Sequence, residues 1–250
     1  MPNYFTALAA DSLRGKRIGV LRFSEGTAQE VEVLYEHALK VLRDAGATLI
    51  ETQLPPAGKL YEADLLVMYT EFKANLNAYL ATTPNAVTTR TLAQLISFNK
   101  SSPQEMQLFG QELFINAQAT AGVDDDKYRE ALATTMRLAR TEGLDKVLSK
   151  DRLDALVAPT TSATWRLDLV SGDRFRGSFS TYPAIAGYPH ITLPMGYHHE
   201  LPLGLSFIGR PWSEPLLLSF AYAFESKAKA RKSPKYLPSI DSTLERGSER

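Results

Sequence analysis

The residues of this chain whose types and spacing could do chemistry are its histidines, one serine-bearing glycine turn and two groups of charged side chains. The four histidines are His37, His190, His198 and His199. On a strand His198 and His199 point to opposite faces, and no H-x₃-H or H-E-x-x-H accompanies them, so no metal site is expected. Gly177-Ser178-Phe179-Ser180 comes nearest to a nucleophile turn. The G-x-S-x-G elbow itself is absent, and the stretch reads as a loop leading into a helix. Glu71 and Lys73 lie on a predicted helix but two apart, so they do not face each other. Glu71 reads as a half-buried, hydrogen-bonded acid. Asp124-Asp125-Asp126 reads as a capped helix start, where negative charge meets the positive end of the dipole. No G-x-G-x-x-G or P-loop follows the first strand, so no phosphate cradle is formed there. These residues by themselves indicate an α/β protein without a recognisable catalytic set, and no cofactor is expected.

Composition narrows the classes further. The 250 residues are 44% hydrophobic and 22% charged, ordinary for a soluble globular chain with a real core. Lys+Arg and Asp+Glu balance at 28 each, which gives no footprint for a nucleic-acid partner. Cysteine is absent, so disulfides, thiolate nucleophiles and Cys-based zinc sites are excluded. The Met1 to Thr6 stretch has no basic region followed by an apolar run. The apolar Leu216 to Phe224 stretch is far shorter than the ~20 residues that span a bilayer. No membrane association is expected, and the cytoplasm is the expected location.

The elements that must position any site begin with a βαβ unit. Arg17-Ile18-Gly19-Val20-Leu21 reads as a buried parallel strand. Thr27 and Glu30 have capping-box spacing ahead of a helix with Val31, Leu34, Tyr35, Ala38, Val41, Leu42 and Ala45 on one face. Gly46 suits the left-handed residue ending it. Thr48 to Leu54 alternates as a second strand. A helical middle follows from about Leu60 to Leu148, expected to cap the sheet. Its first helix carries a Leu65, Met68, Phe72, Leu76 and Tyr79 stripe. Shorter helices run over Leu92 to Phe98 and Met106 to Ala119, and a long one bears Tyr128, Leu132, Met136 and Ala139. Further strands are predicted at Ala155 to Ala158, Ile191 to Leu193 and Leu205 to Ile208. Ser213 is expected to cap a last helix with Pro215 in its first turn. The expected fold is a mixed, largely parallel sheet flanked by helices, over residues 1–238, with a polar tail at 239–250.

The stretch from Leu153 to Glu225 resembles the C-terminal region of the amidase signature family. It carries Asp154-Ala155-Leu156-Val157-Ala158-Pro159-Thr160, then Ala184-Ile185-Ala186-Gly187-Tyr188-Pro189 and Ile191-Thr192-Leu193-Pro194-Met195-Gly196. Leu201 through Gly209 and Trp212-Ser213-Glu214 complete five pieces in the family's order. Leu13 to Val20, Glu71-Phe72-Lys73, Leu95 to Asn99 and Phe109-Gly110-Gln111 extend the resemblance upstream, to roughly residues 3–238.

The family uses a Ser–Ser–Lys triad, with the nucleophile in a Gly/Ser-rich segment that also supplies oxyanion donors. The resemblance places that segment before the Arg17 to Leu21 strand. Only sixteen residues precede Arg17 here, none of them Gly/Ser-rich, so no catalytic residue carries over. The resemblance implies instead the far wall of a substrate cleft, formed by Pro159, Thr160 and Thr161 with Gly187, Tyr188 and Pro189. Loops at strand ends of an open α/β sheet are where ligands sit, and ordinary turn chemistry explains the same residues. The chain is thus expected to be the C-terminal part of an amide hydrolase, silent alone, whether a split gene product or a reading frame that lost its 5′ half. Expected partners are a serine-bearing N-terminal half or a second copy meeting an exposed sheet face. The alternative is a non-catalytic binding or assembly protein on the amidase scaffold; an enzyme using unfamiliar residues has no candidate set.

Overall fold

Arg17–Val20 (β1) forms a strand because Ile18 and Val20 turn one apolar face to a helix layer, while the missing side chain of Gly19 admits Leu153 and Leu156 on the other. A methyl at Gly19 would lie 2.6 Å from the side chains of both leucines. The computed structural model describes residues 4–23, 29–107, 109–165, 167–173, 175 and 177–236. Thr27 and the 239–250 tail lie outside the described residues, which leaves the capping box and the tail without a structural counterpart.

After β1 the chain runs through Gln29–Asp44 (α1) to Thr48–Glu51 (β2), with Gly46 at φ +92° between them. Beyond the helical region come Asp145–Lys150 (α7), Ala155–Pro159 (β3), Thr181–Ala186 (α8), His190–His198 (β4), Leu201–Ile208 (β5) and Glu214–Ala228 (α9). The five strands form one mixed sheet in the order β2-β1-β3-β5-β4. All five predicted strands are present. The β1–β2 and β1–β3 pairings are parallel, and β3–β5 and β4–β5 are antiparallel.

The antiparallel half follows from a two-residue hairpin at His199-Glu200, where both residues have positive φ, +47° and +66°. That is the primed-turn geometry matching strand twist. The hairpin also overturns the strand-based expectation for the two histidines. His199 has left the strand, and its ring lies 4.1 Å from that of His198, edge to face. Among the described residues no three His, Asp or Glu are grouped so as to hold a metal.

The chain divides into two compact units, Met1–Pro55 with Ala139–Arg250, and Pro56–Leu138. In the first unit, one sheet face buries Ile18, Val20, Ala155, Val157, Leu205 and Phe207. They pack against Val31, Tyr35, Leu39 and Leu42 of α1 and Leu217, Phe220 and Phe224 of α9. Tyr35, fully buried, shares its one hydroxyl hydrogen between the carbonyls of Leu21 (3.1 Å) and Val157 (2.9 Å), so its burial leaves no unpaired hydroxyl. Burial pushes its phenol pKa upward. Arg22 ties the end of β1 to its neighbours by binding Glu32 (2.6 Å), Glu36 (2.6 Å) and Glu51 (3.0 Å); Glu51 first, and Glu36 with it, hold its pKa above the ordinary range.

The expected side-chain cap of α9 is absent. Ser213 Oγ donates instead to the Arg210 carbonyl (2.7 Å), while Pro215 does stand in the first turn.

The second unit holds Gly58–Ala81 (α2), Leu92–Ser101 (α3), Pro103–Met106 (α4), Glu112–Gln118 (α5) and Asp126–Met136 (α6). The single helix expected over Met106 to Ala119 is two pieces. Gly110, a poor helix former, sits in the break. Buried Gln111 turns its side chain back to α3, bonding Asn99 and the Ile96 carbonyl (both 3.2 Å).

The α2 stripe also differs from expectation. Leu65, Met68, Phe72 and Tyr79 are exposed, whereas Leu60, Val67 and Thr70 are buried. Glu71 is half-buried and accepts from Tyr128 Oη (2.8 Å), as expected; Lys73 donates to the Gln118 and Thr120 carbonyls at the end of α5 (2.9 and 2.8 Å). Asp125 caps α6 by accepting from Lys127 N (3.0 Å). A π-helical segment, Arg137–Leu144, follows α6 and kinks at Gly143.

Candidate functional site

Two loops of the first unit bring the expected wall residues to the ends of β3 and β4. Pro159 closes β3, and Thr160 continues the pairing through its N–H to the Gly204 carbonyl (2.8 Å). Thr161 forms an isolated antiparallel bridge with Ser178 beyond the end of β3, and its hydroxyl donates to the Gly177 carbonyl (3.0 Å). Gly177 at φ +111° lets the loop turn there. Ser178 Oγ donates to the Thr160 carbonyl (3.1 Å) and meets Ser180 Oγ at 2.8 Å, while Ser180 N donates back to Ser178 Oγ (3.1 Å). These serines fasten a loop that leads into α8; their hydroxyls are spent on the backbone and on each other.

Gly187, Tyr188 and Pro189 lie at the other end of α8. Gly187 ends that helix in the left-handed conformation, φ +67°, where a side chain would be strained. Tyr188 N donates to the Pro183 carbonyl (2.9 Å), and the Pro189 carbonyl accepts from Gly209 N (3.1 Å). Arg140 donates to the Ala186 carbonyl (2.7 Å) and places its guanidinium 5.9 Å from the centre of the Tyr188 ring. Tyr188 Oη donates to Asp145 (2.8 Å); burial first, and this bond second, push its pKa up to about 12. A groove of about 230 Å³ is lined by Arg140, Gly187, Tyr188, Pro211, Trp212 and Glu214. Trp212 is 90% exposed with φ +63°, so the turn presents its indole to solvent.

Sequence reasoning missed the polar side chains that join the two loops. Thr160 Oγ1 lies 2.6 Å from Thr192 Oγ1 and accepts from Ser206 Oγ at 2.8 Å. Ser206 Oγ lies 2.6 Å from His190 Nε2. Alternation along β4 was the available signal, since it puts His190 and Thr192 on one face. Arg140 and Asp145 had no signal, because each meets Tyr188 only through the fold.

Burial lowers the His190 pKa below its ordinary 6.5. As pH falls, the unfolded chain therefore takes up a proton on His190 before the folded one does. The stability this residue contributes is present above about pH 6.5 and is lost on acidification below it. Denaturant unfolding at pH 7.5 and 5.5 checks this. His190→Gln, which does not titrate, is expected to flatten the loss; a slope unchanged from the parent protein would contradict it.

The five-stranded mixed sheet flanked by helices matches the amidase fold at about half the length of its structural neighbours. The chain belongs to the amidase family, whose model matches residues 1–218. It is 33% identical over 242 residues to a protein named as a probable amidase of Arabidopsis thaliana, covering 94% of this chain and 42% of that one. It is 31% identical to a glutamyl-tRNA(Gln) amidotransferase subunit of Moorella thermoacetica, covering 92% of this chain and 48% of that one. Native peptide amidase of Stenotrophomonas maltophilia superposes with a TM-score of 0.84 at 42% identity, over 94% of this chain and 48% of that one. Peptide amidase in complex with the competitive inhibitor chymostatin gives 0.87 at 43% identity, over 94% and 49%. The chain thus spans about half the length of the relatives it matches.

Proposed function

We propose that this chain supplies the substrate-facing part of an amide hydrolase, converting amide and water to carboxylate and ammonia or amine. On this reading residues 1–238 are the C-terminal portion of an amidase domain. Pro159, Thr160, Thr161, Gly187, Tyr188 and Pro189 form one wall of the cleft. The chain has no Ser–Ser–Lys set and is catalytically silent until a serine-bearing portion joins it. The observation that carries the reading is the likeness to peptide amidase, 0.84 to 0.87 in TM-score over 94% of this chain but only about half of the other. The serine pair Ser178 and Ser180 is occupied in fastening its loop, which supports silence.

The partner is a serine-bearing half or a second copy. Relatives named as amidotransferase subunits suit a protein that works with others. So do the exposed Leu65, Met68 and Phe72 of α2, and an edge strand, β4, nine residues long without one Asp, Glu, Lys or Arg. No helix among the described residues is long and apolar enough to cross a membrane, and the balanced charge gives no support for a nucleic-acid partner. A cysteine-free sequence has no need of an oxidising compartment, which suits the cytoplasm.

Purified alone, the chain is expected to release no ammonia from acetamide, benzamide or a peptide amide above background. The nucleophile and oxyanion donors that supply most of a hydrolase's acceleration are missing. Steady release abolished by Ser178→Ala or Ser180→Ala would overturn the reading. Silence that persists with every partner would favour the alternative, a binding or assembly protein on the amidase scaffold.

A further inference from the structure

The sheet face opposite α1 and α9 carries a connected row of polar side chains. Ser206 pairs with Ala158 on one side and Thr192 on the other. It therefore points away from the face of Phe207, which meets Phe220 and Phe224 of α9. Thr160, two residues beyond Ala158, and His190, two before Thr192, share the Ser206 face. The row reads His190 Nε2, Ser206 Oγ, Thr160 Oγ1 and Thr192 Oγ1, with separations of 2.6, 2.8 and 2.6 Å. Ser206 is fully buried, His190 and Thr160 are half-buried and Thr192 is exposed, so the Thr192 end of the row is the most open to solvent. Gly204 makes room for its outer end. A methyl there would lie 2.5 Å from Thr160 Oγ1 and 2.7 Å from Thr192 Oγ1.

Hydrogen counting gives the row a direction. A hydroxyl has one hydrogen to donate, and Ser206 donates its own to Thr160. The link to His190 is then made by the imidazole, which must carry its hydrogen on Nε2. Three links use three of four hydrogens. The fourth is left on the Thr160–Thr192 pair, at the exposed end. With the hydrogen on Nδ1 instead, three hydroxyl hydrogens would serve three links, and the wall would show a ligand only lone pairs.

We propose that His190 and Ser206 are positioning residues that orient the hydroxyls of Thr160 and Thr192, so that the wall presents one hydrogen-bond donor to the carbonyl oxygen of an amide substrate. The proposal rests on the substrate-wall reading above. An uncharged row with one spare donor suits a neutral acceptor, and it offers nothing to hold a phosphate or a metal ion. Burial keeps the imidazole neutral at pH 7, so the donor carries no net charge.

The test uses the full chain, uniformly ¹⁵N-labelled, and N-acetyl-phenylalaninamide as the probe. Long-range ¹H–¹⁵N spectra assign the His190 hydrogen, with His190→Gln identifying the signals. The expected result is an Nε2–H imidazole in the free chain. Titration with the probe is expected to shift the amide signals of Thr160, Thr192 and Gly204. Ser206→Ala and His190→Phe are expected to weaken binding about tenfold, the worth of one hydrogen bond. His190→Gln, which returns a donor near the Nε2 position, is expected to recover most of it. An Nδ1–H imidazole would overturn the proposal. So would probe binding that Ser206→Ala leaves unchanged, or binding only in the Tyr188–Trp212 groove, although those two results leave the substrate-wall reading standing. Absence of any probe binding also overturns it, and the wider reading is then judged by ammonia release with the complementary half.

Discussion

Phe207→Ala is expected to destabilise the first unit by about 3–5 kcal/mol, the range for truncating a fully buried aromatic side chain. Phe207 is 0% exposed and stands between Val157 and Ile191 in the sheet register. Its ring lies 6.2 Å from that of Phe220 and 6.4 Å from that of Phe224, contacts that add about 0.5–1.5 kcal/mol beyond burial. A domain holds only about 5–15 kcal/mol in all, so this one truncation removes a large share. Urea unfolding followed by circular dichroism checks it, with Phe98→Ala as the control. Phe98 is 54% exposed, and its loss is expected to change stability by less than about 0.5 kcal/mol. A Phe207→Ala midpoint indistinguishable from the control would mean that the sheet–α9 interface is not the core described here.

The same region shows which parts of the fold were legible in the sequence. β1, α1 and β2 were readable because a short apolar run, a 3.6-residue stripe and Gly46 each act locally. Strands β3, β4 and β5 were also readable as strands. The antiparallel half of their pairing was not, because the turn joining β4 to β5 is His199-Glu200, without the Asn-Gly or Asp-Gly that announces a primed turn. The α2 stripe misled because periodicity marks an apolar face without saying what covers it. Of the candidate site, the six wall residues stood in recognisable turns. His190, Ser206, Arg140 and Asp145 did not, since each joins the wall through strand register or a long-range contact.

Joining the missing chemistry to this wall is expected to have the largest effect of all. On the proposed function, the half of Stenotrophomonas maltophilia peptide amidase that this chain does not match is the complement to test, since the two superpose over 94% of this chain. Nucleophile, base and oxyanion donors act as a unit, and restoring such a set is expected to raise turnover at least about 10³-fold over either half. Assembly should cover the exposed apolar side chains and the β4 edge, with an interface above ~1,000 Å².

Co-expression of the two halves, with ammonia release from a peptide amide measured on the purified material, tests the central claim most directly. The expected result is a heterodimer by analytical ultracentrifugation and steady ammonia release that neither half gives alone. Two halves that sediment separately and release no ammonia together would contradict it.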